Sequence, residues 1–202
     1  MRLVVATRNR HKVREIAVLL AEAELAMEAV TIDEVAPTAE LREDEDTFEG
    51  NALAKARQAS VACGMPAIAD DSGIEVDALA GAPGVRSARW SGEPCDDGRN
   101  NEKMLRELSG IPAAQRTARY RCAAAFVDAA QNVEVVRSGA CEGVLLSKAE
   151  GTGGFGYDPL FFIPSLGRTM AEIGMAEKNR LSHRAMAFRA LAQALRENFL
   201  KK

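Results

Sequence analysis

Within its first twenty residues the chain changes structural type, and this limits what it can fold into. The run LVVA, residues 3–6, is short, apolar and β-rich, and the hexapeptide TRNRHK, residues 7–12, is polar throughout. In the following VREIAVLLAEAEL, residues 13–25, Val13, Ile16, Leu19 and Leu20 recur at the spacing of one helix face. A strand, a polar turn and an amphipathic helix in that order predict an α/β protein.

The rest of the chain fits that class. An Ala-rich helix is predicted over 47–62 and a short buried strand over AIA, 67–69, with IEVDAL resuming after a turn at Asp70-Asp71-Ser72-Gly73. GAPGVRSARWSGEP reads as a loop by its Gly and Pro content. NNEKMLRELSGI reads as a short helix ended by Gly110, and strands over 118–129 and 133–146 meet near Gln131 and Asn132. A Gly-rich loop, EGTGGFGYDP, precedes the strand-like LFFI. The last helix, from Ser182 to about Phe199, carries an apolar stripe of Ala185, Phe188, Leu191 or Ala192, and Leu195. Hairpin-linked and crossover-linked strands together predict a mixed sheet. We read residues 1–202 as one domain, with no repeat and no long linker.

Composition narrows the function. Lys and Arg number 26 against 29 Asp and Glu, a net charge of −3, which speaks against a generic nucleic-acid binder. The four cysteines, Cys63, Cys95, Cys122 and Cys141, are dispersed without a Cys-x-x-Cys pair, which fits reduced thiols rather than a zinc site or disulfides. No stretch approaches the ~18 apolar residues that span a bilayer, and no signal peptide is read at the start, so the expectation is a cytoplasmic protein with no membrane partner.

Four constellations carry chemistry. In the first, Arg8, Arg10, His11 and Lys12 crowd the entrance of the first helix, where cations oppose the helix dipole unless an anion joins them. Asn9 or Thr7 is the candidate cap, and a solvated basic turn is the alternative. In the second, Gly151, Gly153, Gly154 and Gly156 let a ligand approach the main chain. Phe155 and Tyr157 offer flat faces to a base, and Asp158 an acceptor for a ring N–H. The alternative there is a mobile hairpin with its aromatics in the core. In the third, Lys178, Arg180, His183 and Arg184 surround the start of the last helix with Ser182 as a candidate cap, and a basic surface cluster is the alternative. In the fourth, Asp70 and Asp71 end a buried strand and suit a hard cation such as Mg2+, with further carboxylates in ELREDEDTFEG. An Asx turn beside a solvated acidic loop is the alternative. Together these groups describe a nucleoside triphosphate and its metal.

The segments ATRNRHKVREI, TFEGNALAKA with AIADDSGIEVDALAGAPGVRSARWSG, GTGGFGYDPLFF and EKNRLSHRAMAF, in this order, resemble the motifs of the inosine triphosphate pyrophosphatase family. The resemblance implies an elongated two-lobed α/β fold with a central mixed sheet and a substrate cleft between lobes. It also implies a homodimer and Mg2+-dependent hydrolysis of ITP, dITP and XTP to the monophosphate and pyrophosphate. It places Thr7, Arg8, Asn9, Arg10, His11 and Lys12 on the triphosphate, and Asp71 as general base and metal ligand with Ser72 beside the substrate. Phe155, Gly156, Tyr157 and Asp158 become the base pocket, completed by Lys178, His183 and Arg184. Glu43 falls at the family's metal-binding Glu. The chain departs from the family around it, with Glu45 for a Gly and Gly50 for a Glu, and Glu40, Glu45 and Glu49 stand as alternatives. Lys55 joins the candidates for phosphate contact. Rival readings are a pyrimidine triphosphate hydrolase, a non-catalytic nucleotide-binding regulator and a purely structural module, the last of which leaves the two basic helix entrances unexplained. Trp90 reads first as a packing residue.

Overall fold

The computed structural model of the chain describes residues 2–23, 25 and 27–198. In chain order the elements are β1 (Arg2–Val5), α1 (Arg10–Glu22), β2 (Glu28–Thr31), α2 (Ile32–Val35), α3 (Phe48–Cys63) and β3 (Ala67–Val76). They continue with α4 (Asp97–Glu107), β4 (Thr117–Asp128), β5 (Val133–Leu145), β6 (Phe161–Ile163), β7 (Arg168–Thr169), α5 (Met175–Leu181) and α6 (His183–Asn198). The strands follow the order β2-β1-β3-β4-β5-β6-β7. β1 pairs in parallel with β2 and with β3, while β5–β6 and β6–β7 are antiparallel. The expected mixed sheet flanked by helices is therefore present.

The chain forms two compact units. The first comprises Met1–Asp71, Cys122–Gly139 and His183–Lys202, and the second Ser72–Arg121 and Ala140–Ser182. The core of the first unit gathers Ile16, Leu19 and Leu20 of α1, Phe188, Leu191 and Leu195 of α6, and strand residues such as Leu3, Val5 and Phe126. The predicted stripe of α6 is the buried face, with Leu191 and Ala192 both inside. In the second unit Met104 and Leu108 pack with Ile74, Tyr120, Tyr157, Leu160, Phe161 and Met170.

Local signals set the helix starts. Asn9 caps α1, accepting from the N–H groups of His11 (2.9 Å) and Lys12 (3.3 Å). Thr7 Oγ1 in turn accepts from Asn9 N–H. Thr47 caps α3 through Gly50 N–H, 3.0 Å away.

Several expectations need correction. Asp70 and Asp71 do not end a strand at a turn: β3 runs unbroken through Asp-Asp-Ser-Gly. A polar strand interior survives burial here because cations neutralise Asp70, and alternation sends the two carboxylates to opposite faces. The segment 84–89 is not irregular but a 3-10 helix, Gly84–Arg89. Lys178 and Arg180 do not open the last helix. They lie in a separate helix, α5, whose last residue is followed by Ser182 as C-cap, and α6 begins at His183. β2, α2 and β7 are additional elements, too short for periodicity to reveal. The expected helix positions Glu24 and Phe199 lie outside the described residues.

Candidate active site

In the first unit the chemistry gathers on β3. Asp70 is completely buried. Its Oδ2 lies 3.1 Å from Lys12 Nζ of α1 and 3.1 Å from Arg184 Nε of α6. Arg184, also buried, donates through Nη1 to Glu15 of α1. Burial alone would push the Asp70 carboxyl up, but Lys12, Arg184 and Lys55 outweigh it and hold it far below the ordinary carboxylate range. The cations form an ion-pair network threaded between β3, α1 and α6, with Arg184 at its centre.

Asp71 faces a different environment. Asn51 Nδ2 of α3 donates to its Oδ2 at 2.9 Å. Burial raises its carboxyl above the ordinary value, Lys55 and Lys12 pull it back, Glu43 pushes it up again, and the net shift is upward. Lys55 stands between these groups. Its ammonium donates to Glu43 Oε1 and, at 2.6 Å, to the backbone carbonyl of Asp70. Burial lowers the Lys55 pKa, yet Glu43, Asp70 and Asp71 together raise it, so the side chain stays charged.

The remaining basic residues divide by role. Arg8 is tied down, with Nε on Asp33 (3.0 Å) and Nη2 on the carbonyls of Pro37 and Ala39. Arg10 and His11 are exposed on the first turn of α1, which has no acidic residue. Thr7 and His183 are buried.

The acidic loop explains the chain's departure at positions 45 and 50. A Cβ on Gly50 would lie 2.9 Å from Glu45 Cβ. The side chain at 45 therefore occupies the room that one at 50 would need. Glu45 N–H also donates to Asn51 Oδ1, which orients the amide that holds Asp71.

The donor set suits Mg2+. Glu43 and Asp71 act on each other electrostatically as like charges, which a cation would relieve. Among the described residues no three His, Cys, Asp or Glu side chains form a metal cluster. Mg2+ commonly takes one or two carboxylates and completes its shell with substrate phosphates and water.

In the second unit the Gly-rich loop is tied by Asp158, which is buried. Its Oδ1 accepts from Tyr120 Oη of β4 at 3.1 Å. Its Oδ2 accepts from Lys178 Nζ of α5 at 2.8 Å and from Phe155 N–H at 3.0 Å. Gly154 has φ +75°, and a Cβ there would lie 2.1 Å from Asp158 Oδ2, so only glycine fits. Burial, then Asp158, raises the Tyr120 hydroxyl well above its usual pKa, so it stays a donor. Lys178 Nζ also sits 4.7 Å from the centre of the Phe155 ring.

The two aromatics of the loop differ. Phe155 is half-buried, whereas Tyr157 belongs to the core and donates from Oη to the Ser87 carbonyl at 2.8 Å. Gly156 N–H donates to Asp97 Oδ2 of α4. Ser72 is half-buried in β3.

The first unit thus brings together Lys12, Glu43, Lys55, Asp70, Asp71 and Arg184, and the second Phe155, Gly156, Tyr157, Asp158 and Lys178. Sequence reasoning missed Glu15, Tyr120, Asp97 and Asn101. Glu15 had a signal, since it falls on the apolar stripe of α1 beside Ile16, Leu19 and Leu20. Asp97 and Asn101 had the i, i+4 spacing of one helix face.

Comparison with known proteins finds relatives over nearly the whole chain. The Ham1 family model matches residues 3–194. The dITP/XTP pyrophosphatase of Desulforamulus reducens is 46% identical over 200 residues, covering 99% of this chain and 98% of that protein. That of Geobacter sulfurreducens is 48% identical over 194 residues, covering 96% of each. The structure of the Staphylococcus aureus Ham1 protein superposes with a TM-score of 0.86 at 34% identity, covering 98% of this chain and 99% of that one. A HAM1 protein from Coxiella burnetii gives 0.88 at 35% identity with the same coverage. With the family model spanning residues 3–194 and these relatives and structures matching nearly the whole chain, this protein belongs to the Ham1 family.

Proposed function

We propose that the chain, acting over 1–202 as one catalytic domain, is a Mg2+-dependent nucleoside triphosphate pyrophosphatase. Its substrates are ITP, dITP and XTP, its products the monophosphate and pyrophosphate, and its setting the cytoplasmic nucleotide pool, as a homodimer. One observation carries the reaction type: Asp71 is a buried carboxylate of raised pKa, fixed by Asn51, with lysines around it. The substrate class is supported by the relatives named dITP/XTP pyrophosphatase.

In this mechanism Asp71 accepts a proton from the attacking water. The water oxygen forms a new P–O bond, and the P–O bond to pyrophosphate breaks. Lys12 and Lys55 supply positive charge to the phosphate oxygens and to the leaving pyrophosphate. Asp70 aims Lys12 from behind, and Glu43 with the Asp70 carbonyl aims Lys55. The first turn of α1, with Arg10 and His11 exposed, receives the rest of the triphosphate. Asp71 and Glu43 would hold Mg2+, whose bound charge would offset that of the phosphates.

The base falls to the loop 153–158. Phe155 offers its ring for stacking, while Asp158, Tyr120 and Lys178 hold the loop in shape. A 6-keto purine presents an acceptor where adenine presents an amino group, so a donor in this loop would reject ATP.

The test is pyrophosphate release from ITP, dITP, XTP, GTP, ATP and dUTP, with Mg2+ and with chelator. Release from ITP, dITP and XTP that chelator abolishes is the expected result. No release from any of them would leave the nucleotide-binding regulator as the better reading.

A further inference from the structure

We propose that α4 is a clamp on the base loop, and that Asp97 and Asn101 are positioning residues that set base selectivity, an inference that rests on the pyrophosphatase reading. Asp97 and Asn101 stand four residues apart and share one helix face. Asp97 Oδ2 accepts from Gly156 N–H at 2.6 Å, and Asn101 Nδ2 donates to the Gly156 carbonyl at 2.9 Å. One helix thus grips both polar groups of a single residue in the middle of the loop. The neighbours of Gly156 are the stacking ring of Phe155 and the buried Tyr157, so a turn of this residue moves both.

The grip is built on a fixed support. Asn100 accepts from Ser91 N–H at 2.7 Å and donates to the Ala88 carbonyl at 2.8 Å. Lys103 donates to the Trp90 carbonyl at 2.7 Å, and its ammonium lies 3.9 Å from the centre of the Trp90 ring. These contacts fasten α4 to the segment 84–91, which also receives the Tyr157 hydroxyl through Ser87. Trp90 is then part of the support rather than of the site. Asn101 itself carries a cost. Its Oδ1 is buried with no hydrogen-bond partner among the described residues. Such an atom is destabilising, and an apolar side chain would avoid it. Retention of the amide is accounted for by what Nδ2 does to Gly156.

The test uses the full chain with Asn101→Leu, Asp97→Ala and Asp97→Asn. Amide hydrogen exchange at Gly156 reads the clamp without any substrate, and steady-state kinetics on ITP and ATP read its consequence. We expect Asn101→Leu to fold with a Tm equal to or above that of the parent, because the orphaned oxygen is gone. Exchange at Gly156 should quicken about tenfold or more in Asn101→Leu and Asp97→Ala. In both, KM for ITP should rise more than kcat falls, and the preference for ITP over ATP should narrow. Asp97→Asn keeps an acceptor oxygen and should restore most of both readouts. Unchanged exchange in the folded variants overturns the clamp, and quickened exchange with unchanged KM and unchanged preference overturns its role in selectivity. A parent protein that releases pyrophosphate from no nucleotide overturns the pyrophosphatase reading and the selectivity claim with it, while exchange still decides the clamp.

Discussion

Adjacent residues on one strand can have opposite chemistry, and Asp70 and Asp71 are the case here. The same burial acts on both. Asp70 is surrounded by three cations that override it, while Asp71 has a carboxylate, Glu43, among its neighbours and stays raised. Asp71→Asn should keep the fold, since an amide replaces a carboxylate of similar shape, and should reduce kcat by about 10²–10⁴-fold. Circular dichroism and pyrophosphate release measure the two halves of that statement. Asp70→Asn should do the reverse damage. It leaves Lys12 without its counter-charge and Arg184 with Glu15 alone, and should cost about 3–5 kcal/mol of stability. The sign of the pH dependence follows. Asp70 has a depressed pKa in the folded chain, so its contribution is full above the unfolded value of about 3.9 and is lost as pH falls below it. Urea melts between pH 7 and pH 3 should therefore show a shallower acid slope for Asp70→Asn than for the parent. The sequence marked both aspartates as a pair. The resemblance gave the base and metal role to Asp71 alone, but the counter-ions of Asp70 stayed hidden, because Arg184 lies 114 residues away.

Among the elements, helices were more legible than the loop-like segments. α1 and α6 announce themselves by apolar spacing, α3 by its run of Ala and α4 by the Gly110 that follows it, whereas Thr47 and Asp96 were found as caps only in the structure. Thr47→Ala removes the acceptor for Gly50 N–H and should cost about 1 kcal/mol, read by thermal melting. In the first turn of α3, Asn51 would then hold Asp71 less firmly, and kcat should fall with it. The glycine loop behaves differently. Gly154→Ala would force a Cβ against Asp158 and demand a left-handed backbone. It should raise KM for ITP about tenfold or more by breaking the Tyr120–Asp158–Lys178 arrangement, with the ITP/ATP preference as the second readout. The sequence showed that this loop was special through its four glycines. It did not show that Asp158 is spent on Tyr120 and Lys178 as well as on Phe155 N–H in its own loop, since the first two come from a strand and a helix distant in the chain.

At the scale of the whole molecule, neither compact unit is a continuous segment. The boundaries fall inside β3, β4 and β5 and between α5 and α6. α6 completes the first unit, supplying Phe188, Leu191 and Leu195 to its core and Arg184 to Asp70 and Glu15. A chain ending at residue 182 should therefore lose the folded first unit. Hydrogen exchange over 2–23 should approach that of an unfolded chain, and pyrophosphate release should disappear. Among the described residues no helix is long and apolar enough to cross a membrane. The sequence by itself determined the α/β class, the apolar faces of α1 and α6, and the four motifs that resemble those of the family. These are properties of short stretches, decided by spacing, side-chain hydrogen bonding to nearby N–H groups and local charge. Only the tertiary structure decided that Asp-Asp-Ser-Gly continues a strand and that Arg184 is a buried counter-ion. It likewise decided that Lys178 belongs to a different helix from His183, and that α4 holds Gly156. Each of these depends on partners that only folding brings within hydrogen-bond distance, and on burial that makes an unpaired charge too costly to leave there.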